Sequence, residues 1–323
     1  MRPTAWAALG TAAVLAVTGC SVSGDRPAGR GEPDGPSTLS SPEAEAPPGR
    51  SEPHPAIAAA LESRPRPPSN PRELADALVA AERAIVDPGT VPDVLSAAAH
   101  VQQVAYRRLG VRPRWDAEVL RRVPAGLRPV VRANTASRRE FLSMHVTLSD
   151  TLPAWRIVPP EPADRLLAHY RAAERRFGVD WEYLAAINLV ETGMGRIRGT
   201  SVAGARGPMQ FIPATWAQYG RGDVDDPQDA VLAAARYLAA RGFTERGGRP
   251  GALYAYNNHP AYVRGVTRLA EVMQARPRAF LGYHRWRIYY RSSAGDVLLP
   301  VGYSRSEPVP VRRWLSSRRT SSG

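Results

Sequence analysis

The sequence predicts a mainly α protein with a small C-terminal β-hairpin. Three observations carry that expectation. Apolar residues recur at helical spacing between Pro71 and Gln274, in runs broken by Pro and Gly. After Pro277 the pattern switches to the two-residue period of a strand. Residues 20–70 are rich in Pro, Gly, Ser, Glu and Arg, with one weak apolar patch at Ile57 to Leu61. Such a stretch cannot bury enough surface to fold and reads as a disordered linker.

Taken in order, the chain opens with residues 1–19 as a signal peptide. Arg2 gives a short positive region, and Ala5 to Val17 is apolar but too short to span a bilayer. Val17-Thr18-Gly19-Cys20 resembles a bacterial lipobox, in which the cysteine is lipidated and becomes the first residue. Cys20 is the only cysteine, so no intramolecular disulfide can form. The alternative is a secretory signal with an incidental cysteine. Either way the chain is expected to be exported, and lipidation would anchor it to the membrane face.

Residues 71–150 form an N-terminal helical region. Pro71 opens a helix carrying Leu74, Leu78, Ala81 and Ile85, and Pro88-Gly89 breaks it. Further helices run from about Val91 to Leu109, Trp115 to Arg122 and Leu127 to Met144. Thr151 to Pro162 is a proline-rich connector. A second unit, residues 160–303, follows. Its first helix, with Leu166, Leu167, Tyr170 and Phe177, ends at Gly178. The next starts at Asp180, a candidate cap, and ends near Glu191. Shorter helices cover Pro213 to Tyr219, the Val231–Leu238 face after Asp226-Pro227, Gly251 to Tyr256 and Ala261 to Gln274. Trp286, Ile288 and Tyr290 alternate with Arg and Tyr, and Val297 to Val301 follows a turn, which predicts a hairpin over 284–301. Residues 304–323 read as a disordered basic tail.

The 323 residues allow one to two domains, and 43% hydrophobic content can fill a core. The formal charge is +13, and every one of the 43 basic residues is Arg. With abundant Ala, Gly and Pro, that bias reads as GC-rich coding rather than a nucleic-acid footprint. A basic surface suits phospholipid headgroups, wall polymers or nucleic acid. No nucleic-acid partner is expected of an exported chain.

Glu191 is the residue the chemistry turns on. Leu184 and Glu191 lie seven residues apart, on nearly the same azimuth, with Ile187 beside them. The carboxylate therefore ends an apolar stripe, where it either faces solvent from the last turn or has a task. The six His are scattered, and Gly222 to Asp226 lacks the spacing of a calcium loop. No metal and no cofactor are expected. One carboxylate in an apolar setting, a glycine loop and Ala255-Tyr256-Asn257 suit acid/base work on a glycoside. A glycosidase normally needs a second carboxylate. None lies in the Glu191 loop, and Asp223 to Asp226 is the nearest cluster.

Several ordered motifs resemble lytic murein transglycosylases, most nearly the membrane-bound B-type group. They are Glu191-Thr192, Ser201 to Pro213 with Gly207-Pro208-Met209-Gln210, Asp226-Pro227 with its Ala-rich helix, Ala255-Tyr256-Asn257 and Tyr262-Val263. The likeness covers roughly Pro162 to Gln274. It implies a lysozyme-like helical catalytic domain acting on peptidoglycan glycan strands, with Glu191 as acid and then base. By family position Ser201 would hold the substrate's N-acetyl group and Gln210 would bind near the cleavage point. Tyr256 and Asn257 would line the cleft, Met209 would lie beneath it, and Tyr262 would join the substrate-binding set. Thr192 departs from the Ser of many relatives but keeps the hydroxyl. Two other readings stay open: a muramidase in which Asp223, Asp225 or Asp226 positions a water, and a non-catalytic wall-binding protein.

Overall fold

The computed structural model describes residues 52–201 and 203–320. Residues 1–51, with the expected signal peptide, Cys20 and most of the expected linker, lie outside the described residues. The expectation of a mainly α fold holds, with thirteen α-helices among the described residues and only short strands.

The first helix, α1 (Pro55–Glu62), corrects the expectation of disorder throughout 20–70. Alone it has too little apolar surface, but Ile57 is buried against Ala77, Ala98 and Val101. Those residues belong to α2 (Pro71–Val86) and α3 (Pro92–Gly110). Asn70 caps α2 by accepting from Glu73 N at 2.9 Å, and Pro71 fills the first helical position. Then come α4 (Asp116–Arg122) and α5 (Arg128–Ser143), each entered through a short 3₁₀ turn.

Within the proline-rich connector lie two short strands, β1 (Thr151–Leu152) and β2 (Arg156–Ile157), and α6 (Ala163–Phe177) and α7 (Trp181–Thr192) follow. The last of this central group are β3 (Ile197–Arg198), α8 (Pro213–Tyr219), α9 (Pro227–Ala240), α10 (Arg249–Tyr256) and α11 (Pro260–Ala275). Asp226 caps α9 as its sequence suggests, accepting from Asp229 N at 2.9 Å. Asp180 does not cap α7 with its side chain. It pairs with Arg249 at 2.6 Å, and Glu174 accepts from Trp181 N instead.

The predicted hairpin is narrower than 284–301. Residues Ala279–His284 are a further helix, α12, because Phe280 and Tyr283 bury into the helical core. The hairpin itself is β4 (Ile288–Ser292) paired antiparallel with β5 (Gly295–Leu299), Tyr290 opposite Val297. The tail is not disordered up to residue 320. β6 (Val309–Pro310) pairs with β1, and α13 (Val311–Thr320) follows. Val311 and Trp314 are buried, Trp314 edge-on to Tyr303 at 5.2 Å. Local composition hid this segment because its partners are distant in sequence.

One main core runs through both halves of the chain. Leu74, Tyr106 and Val131 belong to the same buried cluster as Tyr170, Leu184 and Tyr262. α5 lies along α11, where Gly265 makes room for Phe141. A Cβ at Gly265 would meet the Phe141 ring at 2.5 Å. Ser137 Oγ donates to the Gly265 carbonyl at 2.9 Å, and Arg264 forks onto Glu140 at 2.8 Å for both bonds. Residues 71–150 thus buttress the helices that hold Glu191 and Tyr262.

Candidate active site

Helix α7 carries Glu191 in its last turn. The run Tyr183 to Asn188 is buried throughout, which fixes the helix inside the core. Gly193 ends it in the left-handed region, φ 61°, with Gly193 N donating to Leu189 O and Met194 N to Asn188 O. A side chain at Gly193 would strike Ile288 Cδ1 at 2.5 Å, so the hairpin closes directly on this helix end.

The chain then returns to Glu191 through a tight loop. Arg206 and Phe211 exchange backbone hydrogen bonds of 2.9 Å, and Gly207 and Gln210 both have positive φ, 73° and 52°. Only Gly fits at 207, because a Cβ there would lie 1.9 Å from Val224 O. The loop is stapled to α7 at the Pro208 carbonyl, which accepts from Asn188 Nδ2 at 2.8 Å and from Thr192 Oγ1 at 2.6 Å. Asn188 Oδ1 in turn accepts from Tyr170 OH at 2.6 Å, and Thr192 Oγ1 accepts from Gly195 N at 3.0 Å.

Two tyrosines make the opposite wall. Tyr256 and Tyr262 stack with 6° between ring planes and 6.4 Å between centroids. Tyr256 OH donates to Met209 O at 2.7 Å, and Tyr262 OH donates to Glu191 Oε1 at 2.7 Å. Burial, and then the neighbouring Glu191 charge, push both phenols well above their ordinary range, so both keep the proton they donate. Glu191 is pushed up from 4.5 to about 7, by burial opposed by the Tyr262 hydrogen bond. Part of its side chain remains open to solvent. A carboxyl group poised there can both give and take a proton near neutral pH.

The structure brings Glu191, Tyr262, Tyr256 and Met209 together through these contacts. Met209 is fully buried under the loop, and Gln210 Nε2 donates to Gly207 O at 3.1 Å. Ser201 is engaged in its own turn, accepting from Ala205 N at 2.9 Å. Asn257 closes α10, and its shielded Oδ1 finds no protein partner among the described residues. The aspartates are engaged elsewhere. Asp225 pairs with Arg206 at 2.7 Å, Asp226 caps α9, and Asp223 accepts from Asp225 N. Among the described residues, the Glu191 shift comes from burial and Tyr262 and not from an acidic neighbour.

Comparison with known families shows that residues 169–274 match the Transglycosylase SLT domain. Over this segment, less than half of the chain, the protein is similar to the transglycosylase SLT family. The matched segment runs from within α6 to the last turn of α11 and contains Glu191, Met209, Gln210, Tyr256 and Tyr262. Two similar proteins share the name membrane-bound lytic murein transglycosylase F. That of Thiobacillus denitrificans is 28% identical over 152 residues, covering 45% of this chain and 32% of the relative. That of Nitrosospira multiformis is 29% identical over 143 residues, covering 42% and 29%. The chain thus spans about a third of the length of the curated relatives it matches. No solved structure matches it significantly.

Sequence reading of the SLT domain missed the staple. Asn188 is the lone polar residue in the run Tyr183 to Val190, and that was the available signal. Nothing local marked Tyr170 as its partner. Outside the SLT domain no helix among the described residues is long and apolar enough to cross a membrane.

Proposed function

We propose that this chain is an exported lytic transglycosylase that cleaves the β-1,4 bond between N-acetylmuramic acid and N-acetylglucosamine in peptidoglycan without consuming water. The observation that carries the reading is a single carboxyl group, shifted to about 7, held by one tyrosine and lacking an acidic partner. Hydrolysis by paired carboxylates needs two groups flanking the bond. One group used twice needs only Glu191.

In the first step Glu191, protonated, gives its proton to the glycosidic oxygen as the bond to the anomeric carbon breaks. The substrate's own N-acetyl carbonyl oxygen bonds to that carbon and spreads its charge. In the second step the Glu191 carboxylate takes the proton of the 6-hydroxyl. The 6-oxygen bonds to the anomeric carbon, the N-acetyl oxygen leaves, and a 1,6-anhydro ring closes with Glu191 protonated again. The Tyr262 hydroxyl steadies the carboxylate between the steps. Ser201, Gln210, Tyr256 and Asn257 are assigned to substrate binding, Met209 to the cleft floor. Cys20 is assigned as the lipid-modified anchor on the membrane face.

Mass spectrometry of digested peptidoglycan tests the reaction. Anhydro products, one water lighter than hydrolysed ones, are expected. Products with only free reducing ends would sink this reading in favour of a muramidase. No products at all, with intact wall binding, would favour a non-catalytic wall-binding protein.

A further inference from the structure

A second concavity, of about 480 Å3, opens between α3, α5 and the β4–β5 hairpin, and no residue of the Glu191 cleft lines it. Five arginines face it, against one carboxylate, Asp296. Asp296 is occupied by Arg107, which forks onto it with two contacts of 2.8 Å. Arg108 is held elsewhere, donating to Pro68 O at 3.1 Å and lying over the Trp115 ring. Arg64, Arg138 and Arg291 form no ion pair with a carboxylate among the described residues, although Asp296 is near enough to Arg138 to favour its charge. Two of the five are positioned by one ring. Arg107 and Arg64 lie 4.7 and 5.3 Å from the centroid of Tyr289, whose hydroxyl is 2.7 Å from His100 Nε2. Arg138 Nε is shielded from solvent without a hydrogen-bond partner. Burial, and then the charge of Arg107, pull the Arg138 guanidinium down to about 9.

Gathering guanidinium groups in a concavity opposes folding unless an anion offsets them. A single carboxylate is satisfied by one guanidinium fork, as Asp296 already is. A phosphoryl group offers more terminal oxygens and a higher charge, and arginine is the side chain that matches it. We propose that this cavity is a binding site for a phosphoryl group, either free phosphate or the phosphate of a lipid headgroup. Arg64, Arg138 and Arg291 are its ligands, and the Tyr289 ring positions Arg64 among them. The site is separate from the reaction at Glu191 and does not depend on it. Val111 and Leu148, partly exposed on its lining, give the headgroup source an apolar neighbour.

The test uses the full chain with Cys20→Ser, so that no acyl chain holds it to a membrane. Calorimetric titration at constant ionic strength compares inorganic phosphate with acetate. Phosphate is expected to bind and acetate not. The double variant Arg64→Gln/Arg291→Gln should weaken phosphate binding on the order of tenfold or more, the loss of charge-assisted hydrogen bonds. Its melting temperature without phosphate should not fall. Arg138→Gln, checked by circular dichroism, should weaken binding similarly. Flotation with phosphatidylcholine vesicles, with and without phosphatidylglycerol, separates the sources. Flotation that needs phosphatidylglycerol and is lost in the double variant identifies a headgroup. Phosphate binding without flotation identifies the free anion. Unchanged phosphate binding in the double variant, or acetate binding as tightly as phosphate, overturns the proposal.

Discussion

At the scale of single residues, Glu191 sets the pH behaviour. In the unfolded chain its carboxyl loses its proton near 4.5, and in the folded chain near 7. The stabilisation from holding that proton is complete below pH 4.5 and is lost as pH rises through about 7. Glu191→Gln should therefore be more stable than the native chain above pH 7, by about 1–3 kcal/mol of unfolding free energy, and show no gain at pH 4. Calorimetry at the two pH values checks this. The same variant should lose turnover by about a hundredfold or more while still binding glycan. Activity should fall as pH rises through about 7, because the first step needs the protonated acid. Tyr262→Phe removes the hydrogen bond that favours the charged carboxyl, so this alkaline limb should move to higher pH as kcat drops. A pH–rate profile that stays in place would sever Tyr262 from Glu191. Glu191 itself was legible in the sequence, as a carboxylate ending an apolar stripe. Its contact with Tyr262 was not, because 71 residues separate the two.

At the scale of elements, the loop from Gly193 to Phe211 depends on α7 for its shape. Asn188 and Thr192 both hold the Pro208 carbonyl, and Asn188 is fully buried. Asn188→Ala should cost about 2–4 kcal/mol, since it leaves the Tyr170 hydroxyl only Met194 Sδ at 3.4 Å and loosens that carbonyl. Thr192→Ser keeps the hydroxyl and should be near neutral, whereas Thr192→Val should lower activity with the helix intact. Denaturant melts paired with turnover assays separate the two effects. Gly207→Ala should be the most damaging single change in the loop, because its Cβ has no space beside Val224 O. The glycine spacing announced a tight loop in advance. Which carbonyl the helix would hold depended on how the loop folds back.

At the scale of the whole molecule, the SLT segment is not independent of what surrounds it. The cluster containing Leu184 and Tyr262 also contains Leu74, Tyr106 and Val131 from the N-terminal helices. Residues 160–303 expressed alone should fail to melt cooperatively, because α11 would expose the face that covers Phe141 and Ser137. Circular dichroism of that fragment beside the full chain decides it. At the other end, Trp314→Ala should destabilise by about 3–5 kcal/mol, the range for deleting a buried tryptophan. A native-like melting temperature would mean that α13 is not part of the folded body.

The sequence by itself determined the helical class, most helix limits, the glycine loop and the place of Glu191 at the end of an apolar stripe, because each is written in local periodicity or in an ordered motif. Only the tertiary structure decided that α1 and α13 are ordered, that α5 supports α11, and that Glu191 meets Tyr262 while Pro208 meets Asn188. Those outcomes rest on surfaces buried between distant segments. Local composition reports how much apolar surface a segment has, and the fold decides where that surface finds a partner.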